Sequence, residues 1–304
     1  MANLNELQVF LRGGLGNQLF QYSTGLAISE HYGKKLVLRT DLLPKTQDQI
    51  GGISRWPDQI SSFAHSGVVR SYGNQPTGRT NLLGKSMQLM RAMGDLLPKL
   101  TSSVGWLASE HAVVNDQLDF GTFDLINSYV PFKQMARENR ARLRLETSQI
   151  KKPETKFLEL AHDLSEVPTI IVHLRQGDYL HLQKIYGAVS TSFIESAIEK
   201  VRREGNAMRT WLFTDSPEGL ATSIYRLLNP SQVIGPSDVA SPIENLYLMS
   251  RGSAFVASNS TFSWWACLLS DEGTKLLAPI FLEASVNIFD KSDELFMNLE
   301  TINA

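Results

Sequence analysis

From Thr169 onward the chain alternates short apolar, β-branched runs with longer amphipathic ones. Strands are expected near 169–174, 210–214, 232–235, 253–257 and 275–278, with helices near 192–204, 217–228, 242–251 and 261–270. Few folds accept this pattern. Each parallel strand needs a crossover helix to reach the next, so repeated β-α-β-α implies a doubly wound parallel sheet covered on both faces. Ser241, Pro242 and Glu244 have the spacing of a capping box with proline at the first helical position, which marks one helix start independently.

The opening residues carry the same grammar. An expected strand at Leu7–Leu11 runs into the turn Arg12-Gly13-Gly14-Leu15-Gly16-Asn17, then into a helix over Gln18–Tyr32 that Gly33 stops, and Lys35–Leu38 resumes as a strand. A dinucleotide-binding fingerprint is disfavoured, because Leu19 stands where a third glycine would allow close helix packing and the second strand ends in Arg39 instead of an acid. Gly14 and Gly16 still let backbone approach a ligand closely, while Asn17 either caps the helix or bonds a sugar or phosphate. Residues 41–128 are rich in Gly, Ser, Asn and Pro with weak periodicity, and suit the acceptor side of a cleft. A basic helical pattern between Phe132 and Lys152 ends at Pro153, so the domain passage is placed there. The expected division is 1–155, 156–282 and a tail, 283–304, returning to the first domain.

Every polar cluster of note falls at the carboxyl end of an expected strand: 12–17, 173–179, 214–217, 236–241 and 258–261. That edge is where open α/β sheets bind ligands, and helix N-termini there favour anions. His173-Leu174-Arg175-Gln176-Gly177-Asp178-Tyr179 supplies an imidazole, a fixed cation and a carboxylate, which suits group transfer on an anionic substrate; a surface loop with an Arg–Asp pair is the competing reading. Asn259, Ser260, Thr261 and Phe262 open a helix with amide and hydroxyl groups that can seat a phosphate or simply cap the helix. Asp215 is read as a ligand contact or an N-cap for the Pro217 helix. Glu244 and Asp238 can accept hydrogen bonds from a guanine edge, although the capping box already accounts for Glu244. There is no Asp-x-Asp triplet to hold a metal, so charge on a diphosphate would fall to arginine and helix dipoles.

Composition narrows the class. A net charge of −2 gives no broad footprint for nucleic acid, and the basic clusters Lys133–Arg144 and Lys200–Arg209 read as solvated helix faces. One cysteine, Cys267, allows no internal disulfide, and six scattered histidines make no structural zinc set. The start, Met1 to Leu7, has no signal-peptide pattern and no apolar run reaches spanning length, so a cytoplasmic protein is expected. The Met-rich stretch Lys85–Met93 either touches the inner membrane peripherally or packs as a core-facing helix.

Three segments in order carry a resemblance. Gly13-Gly14-Leu15-Gly16-Asn17-Gln18-Leu19-Phe20-Gln21-Tyr22, His173–Tyr179 and Asn259–Trp265 resemble the GGLGNQ-F-QY, H-x-R-R-G-D-Y and N-S-T-F-S-W-W motifs of the bacterial α-1,2-fucosyltransferases of glycosyltransferase family 11. The resemblance implies an α/β fold of the GT-B type, two facing Rossmann-like domains with doubly wound parallel sheets. It further implies GDP-L-fucose as donor, no metal and no other cofactor, and inverting transfer to the 2-OH of a terminal β-galactoside in O-antigen or other surface polysaccharide synthesis. By the same resemblance Arg175 binds the diphosphate, Ser260 and Thr261 help seat it, and Asn17 reaches toward it. Asp178 is favoured over His173 as the group that takes the acceptor proton; the alternative is that Asp178 pairs with Arg175 and holds it, with the base elsewhere or the phosphate itself serving. Gln176 departs from the family, which has a second arginine there. The alternatives are a non-catalytic sugar-nucleotide or glycan-binding relative, or a fucosyltransferase of different acceptor or linkage.

Overall fold

A computed structural model describes residues 6–40, 43–50, 53–60, 69–71, 106–107, 125–126, 132–177, 183–203, 208–284, 286–289, 296 and 298–304, with strands 48–50, 53–55, 69–71 and 106–107 and residue 125 described through their backbone. The chain divides into two compact units, Met1–Ile50 with Ser54–Arg142, and Leu143–Ala304 with Gly51–Ile53.

In the first unit, β1 (Glu6–Phe10) leads through the glycine turn into α1 (Leu15–Tyr32), followed by β2 (Lys35–Arg39), β3 (Asp48–Ile50), β4 (Ile53–Arg55), β5 (Val69–Ser71), β6 (Trp106–Leu107) and β7 (Leu125–Ile126). Five of these strands form a parallel sheet in the order β5-β2-β1-β7-β6. The helix starts three residues earlier than the sequence implied, because Gly14, extended at φ −77° and ψ 178°, is its N-cap and Gly16 and Asn17 are already helical. Gly33 ends it in the left-handed conformation at φ 63°, with its N–H on the Ser29 carbonyl. The close packing that a third fingerprint glycine would have given comes from Gly25. A Cβ there would lie 2.7 Å from Leu36 and 3.0 Å from Val9, so α1 lies against β1 and β2 only because residue 25 lacks one.

Next come α2 (Lys133–Glu138), α3 (Arg140–Ser148) and α4 (Thr155–Glu166). The units part within α3, ahead of the expected boundary at 155. Two contacts explain this: Arg144 of α3 donates to the Ser270 carbonyl, and Phe157 of α4 meets Tyr247 edge-on with ring centroids 5.5 Å apart.

The second unit continues with β8 (Thr169–Leu174), α5 (Gln183–Tyr186), α6 (Thr191–Arg203), β9 (Arg209–Thr214), α7 (Thr222–Leu228), β10 (Gln232–Ile234), α8 (Pro242–Met249), β11 (Ala254–Val256), α9 (Thr261–Leu269), β12 (Lys275–Ile280) and β13 (Leu299–Asn303). All its strands are parallel, in the order β10-β9-β8-β11-β12-β13. The expected α/β class with parallel sheets is therefore borne out. Every residue of β8 is buried, as a strand covered on both faces must be. Phe193, Ile194, Ala197, Ile198 and Val201 form the buried face of α6, and each of the larger side chains contributes about 2 kcal/mol to packing.

Three expectations are corrected here. The helix over 217–228 breaks into a 3-10 turn, Pro217–Gly219, and α7, since Gly219 and Leu220 do not continue the helix. The tail, expected to return to the first domain, adds β13 to the edge of the second sheet, where it satisfies the ladder groups of β12; Glu300 pairs with Lys200 and, at 3.8 Å, with Lys275. Arg209, assigned from sequence to a solvated helix face, begins β9 and grips both oxygens of Asp163 at 2.9 Å. The stretch Lys85–Met93 lies outside the described residues. Among those described, no helix is long and apolar enough to cross a membrane.

Candidate active site

The carboxyl ends of β8, β9 and β11 lie side by side, since β8 pairs with both neighbours. Where β8 ends, Arg175 leaves the sheet. Its backbone N–H donates to Ser258 Oγ at 3.0 Å, and the same hydroxyl donates to the carbonyl of His173. Its guanidinium Nη1 lies 3.1 Å from Asp215 Oδ2, which comes from the end of β9. Asp215 also accepts from the N–H groups of Gln176 at 2.7 Å and Gly177 at 3.1 Å. So Asp215, read from sequence as a ligand contact or an N-cap, serves neither the helix after it nor the 3-10 turn at Pro217, which has no side-chain cap. Its carboxylate is spent on the neighbouring loop.

His173 is 5% exposed. Its Nδ1 lies 2.6 Å from Ser263 Oγ, and its ring meets Phe262 edge-on at 5.7 Å. Ser263 Oγ already accepts from the Ser258 N–H at 3.2 Å and from the Ser260 hydroxyl at 3.3 Å. Its own proton is therefore directed at Nδ1, which assigns the ring hydrogen to Nε2. Burial agrees with a neutral ring: it lowers the His173 pKa from 6.5 to about 4, against an upward pull from Asp215, with Arg175 adding to the lowering.

The residues expected to seat a phosphate separate into two sets. Ser260 is the N-cap of α9, accepting from the Ser263 N–H at 3.1 Å, and is 4% exposed. Asn259 is wholly engaged: Nδ2 donates to the carbonyls of Tyr186 at 2.8 Å and Val286 at 2.7 Å, and Oδ1 accepts from Ile288 at 2.7 Å. It ties two loops together. Thr261 and Phe262 are half-buried in the first turn of α9, which leaves them the accessible members of that segment. Glu244 is buried and closes the capping box on the Ser241 N–H at 3.0 Å, and Asp238 accepts from Gly235 at 2.7 Å. Each carboxylate thus accepts from a backbone N–H of its own turn. Asp178 and Tyr179 lie outside the described residues.

In the first unit the glycine turn is shaped by side chains whose partners the sequence did not show. Gln18, fully buried, donates to the carbonyls of Gly13 at 2.8 Å and Pro57 at 2.9 Å and accepts from the Gln59 N–H at 2.9 Å. Gln21 accepts from the Arg12 N–H at 2.8 Å. The Trp56 indole lies over Gly14, 3.5 Å from where a Cβ would be. Asn17 stands in the first turn of α1 and does not cap it. In the second unit the unforeseen residues are Ser258, Ser263 and Gly177. A readable signal existed for Ser263: a hydroxyl beside Trp264 and Trp265 on an otherwise apolar helix must find a buried partner.

A locked guanidinium, two ordered backbone loops and a helix N-terminus at one sheet edge form an arrangement suited to anionic ligands. Among the described residues, no three His, Cys, Asp or Glu side chains gather as a cation site. Comparison with known proteins gives this arrangement a family. Over 95% of its length, and 97% of the relative's, the chain is 25% identical to an α-1,2-colitosyltransferase of Escherichia coli. The E. coli O-antigen biosynthesis glycosyltransferase WbnK is 25% identical over 112 residues, 36% of this chain and 37% of that protein. Among solved structures, NodZ α-1,6-fucosyltransferase soaked with GDP-fucose is similar at a TM-score of 0.45 and 15% identity, over 88% of this chain and 92% of the other. The family model of Glycosyl transferase family 11 matches residues 119–297, more than half of the chain and all of the Arg175 cluster, and the chain thus belongs to glycosyl transferase family 11.

Proposed function

We propose that the protein transfers L-fucose from GDP-L-fucose, with inversion and without a metal, to the 2-OH of a terminal β-galactoside in surface polysaccharide synthesis. The observation that carries this reading is Arg175, a cation held at the carboxyl edge of the parallel sheet by Asp215 and Ser258. Family membership and the motif matches support the donor class, and the two E. coli relatives support an α-1,2 linkage and an O-antigen setting. In the reaction the acceptor O2 forms a bond to C1 of the sugar as the C1–O bond to the diphosphate breaks. The Arg175 guanidinium meets the charge that grows on the departing GDP, and Thr261 and the α9 N-terminus help to seat it. The acceptor proton passes to Asp178; His173, buried and with its pKa near 4, is poorly placed to take it.

The test is GDP release from GDP-fucose with lactose or a β-1,3-galactoside in EDTA, with the product linkage read by NMR. Metal-independent formation of an α-1,2-fucoside is expected. Absence of donor binding overturns the reading, and binding without turnover on any galactoside favours a glycan-binding relative. The similarity to a colitosyltransferase over 95% of the chain makes an activated colitose the second donor to offer in the same assay.

A further inference from the structure

We propose that Asp215 is a positioning residue, which holds Arg175 and the loop behind it in the geometry that receives the donor diphosphate; this rests on the GDP-sugar reading above. One carboxylate engages three successive residues of the β8 exit: Oδ1 accepts from Gln176 at 2.7 Å and Gly177 at 3.1 Å, and Oδ2 faces Gly177 N at 3.1 Å and Arg175 Nη1 at 3.1 Å. The sheet brings it there. Leu174 is registered with Thr214, so the next residue of each strand emerges side by side.

The loop is built around this contact. A Cβ on residue 177 would lie 2.8 Å from Asp215 Oδ2, so glycine is what lets the backbone close over the carboxylate. The pair is also withdrawn from water, with the Arg175 and Asp215 side chains 19% and 15% exposed, which strengthens it relative to a surface ion pair. A carboxylate near an anion seat repels the ligand. Its presence is favourable only if fixing the guanidinium in advance outweighs that repulsion, which is how preorganised sites accelerate group transfer.

The experiment measures donor KM, kcat and calorimetric GDP binding for the wild type, Asp215→Asn, Arg175→Ala, their double variant and Gly177→Ala. Asp215→Asn preserves shape and removes the charge. It is expected to lower kcat/KM by about 100-fold, mostly in kcat, as misplacement of a catalytic group does. The double variant is expected to be no slower than Arg175→Ala, because Asp215 acts through Arg175. Gly177→Ala, which moves the loop off an intact carboxylate, should reproduce the kcat loss and keeps the test available if Asp215→Asn does not fold. Activity of either variant within twofold of wild type, tighter GDP binding by Asp215→Asn, or additive losses in the double variant would each overturn the inference alone. Failure of the wild type to bind GDP would instead sink the donor reading, and the inference with it.

Discussion

The exits of β1 and β8 solve one problem by different chemistry. Each strand leaves a parallel sheet into a polar loop whose backbone groups need partners, and each loop is held by side chains from beyond it. At the β1 exit the holders are neutral carboxamides: Gln18 bridges Gly13, Pro57 and Gln59, and Gln21 takes the Arg12 N–H. At the β8 exit they are a hydroxyl and a carboxylate, Ser258 and Asp215. A carboxamide donates and accepts at once, so it shapes a turn without setting a potential. A carboxylate facing a guanidinium does set one, because it fixes where the positive charge stays. The difference assigns shape to the first exit and charge to the second.

Removing the charge should have the largest effect. Arg175→Ala is expected to cut transfer by about 100- to 1,000-fold, or about 3–4 kcal/mol, while leaving circular dichroism unchanged. Near-normal turnover would erase the contrast between the exits. The second effect is on stability. Between pH 6.5 and about 4 the unfolded chain takes up a proton at residue 173 that the folded chain refuses, so this contribution is fully present above 6.5 and fades as pH falls through that window. Urea midpoints at pH 7 and pH 4.5, compared between wild type and His173→Asn, should isolate most of a total of about 3 kcal/mol, with the variant less sensitive to acid. At the neutral exit, Gln18→Ala strands three backbone groups and should cost about 2 kcal/mol in denaturant titrations at any pH from 5 to 8, with GDP affinity unchanged. Weaker GDP binding in that variant would show that the turn does more than hold shape. The smallest effect belongs to a charge pair away from both exits. Asp163→Asn breaks the grip on Arg209 at the start of β9 and should lower stability by about 1 kcal/mol, seen as a small drop in Tm with activity intact.

The second unit was legible because its signals are local. The apolar run at 169–172 and the capping box at Ser241 and Glu244 each act within a few residues. What could not be read depends on distant partners. Asp215 meets a loop 38 residues earlier, and nothing in Thr-Asp-Ser-Pro tells a carboxylate bound for that loop from an N-cap. The strand Leu299–Asn303 lacks the apolar run that announced its neighbours, since an edge strand is part-exposed, and Ile302 packs against the core of the second unit. Helix α4 buries Phe157, Leu160 and Leu164 on one face, but Pro153 just before it has the signature of a boundary as well as of a helix start.

The Ser258 hydroxyl also bears on how far a sheet can guide its own exit. Strand β11 pairs with β8 as far as Val256 and Val172, and beyond that the ladder stops. One residue later in β8, Ser258 Oγ does what a peptide group would have done, donating to one carbonyl, of His173, and accepting one N–H, of Arg175. A hydroxyl can imitate a strand in this way without imposing a strand's direction. The chain is thus free to turn out of the sheet at Arg175 while its backbone stays as well satisfied as inside it, and a threonine at 258 would keep that freedom where an alanine would not.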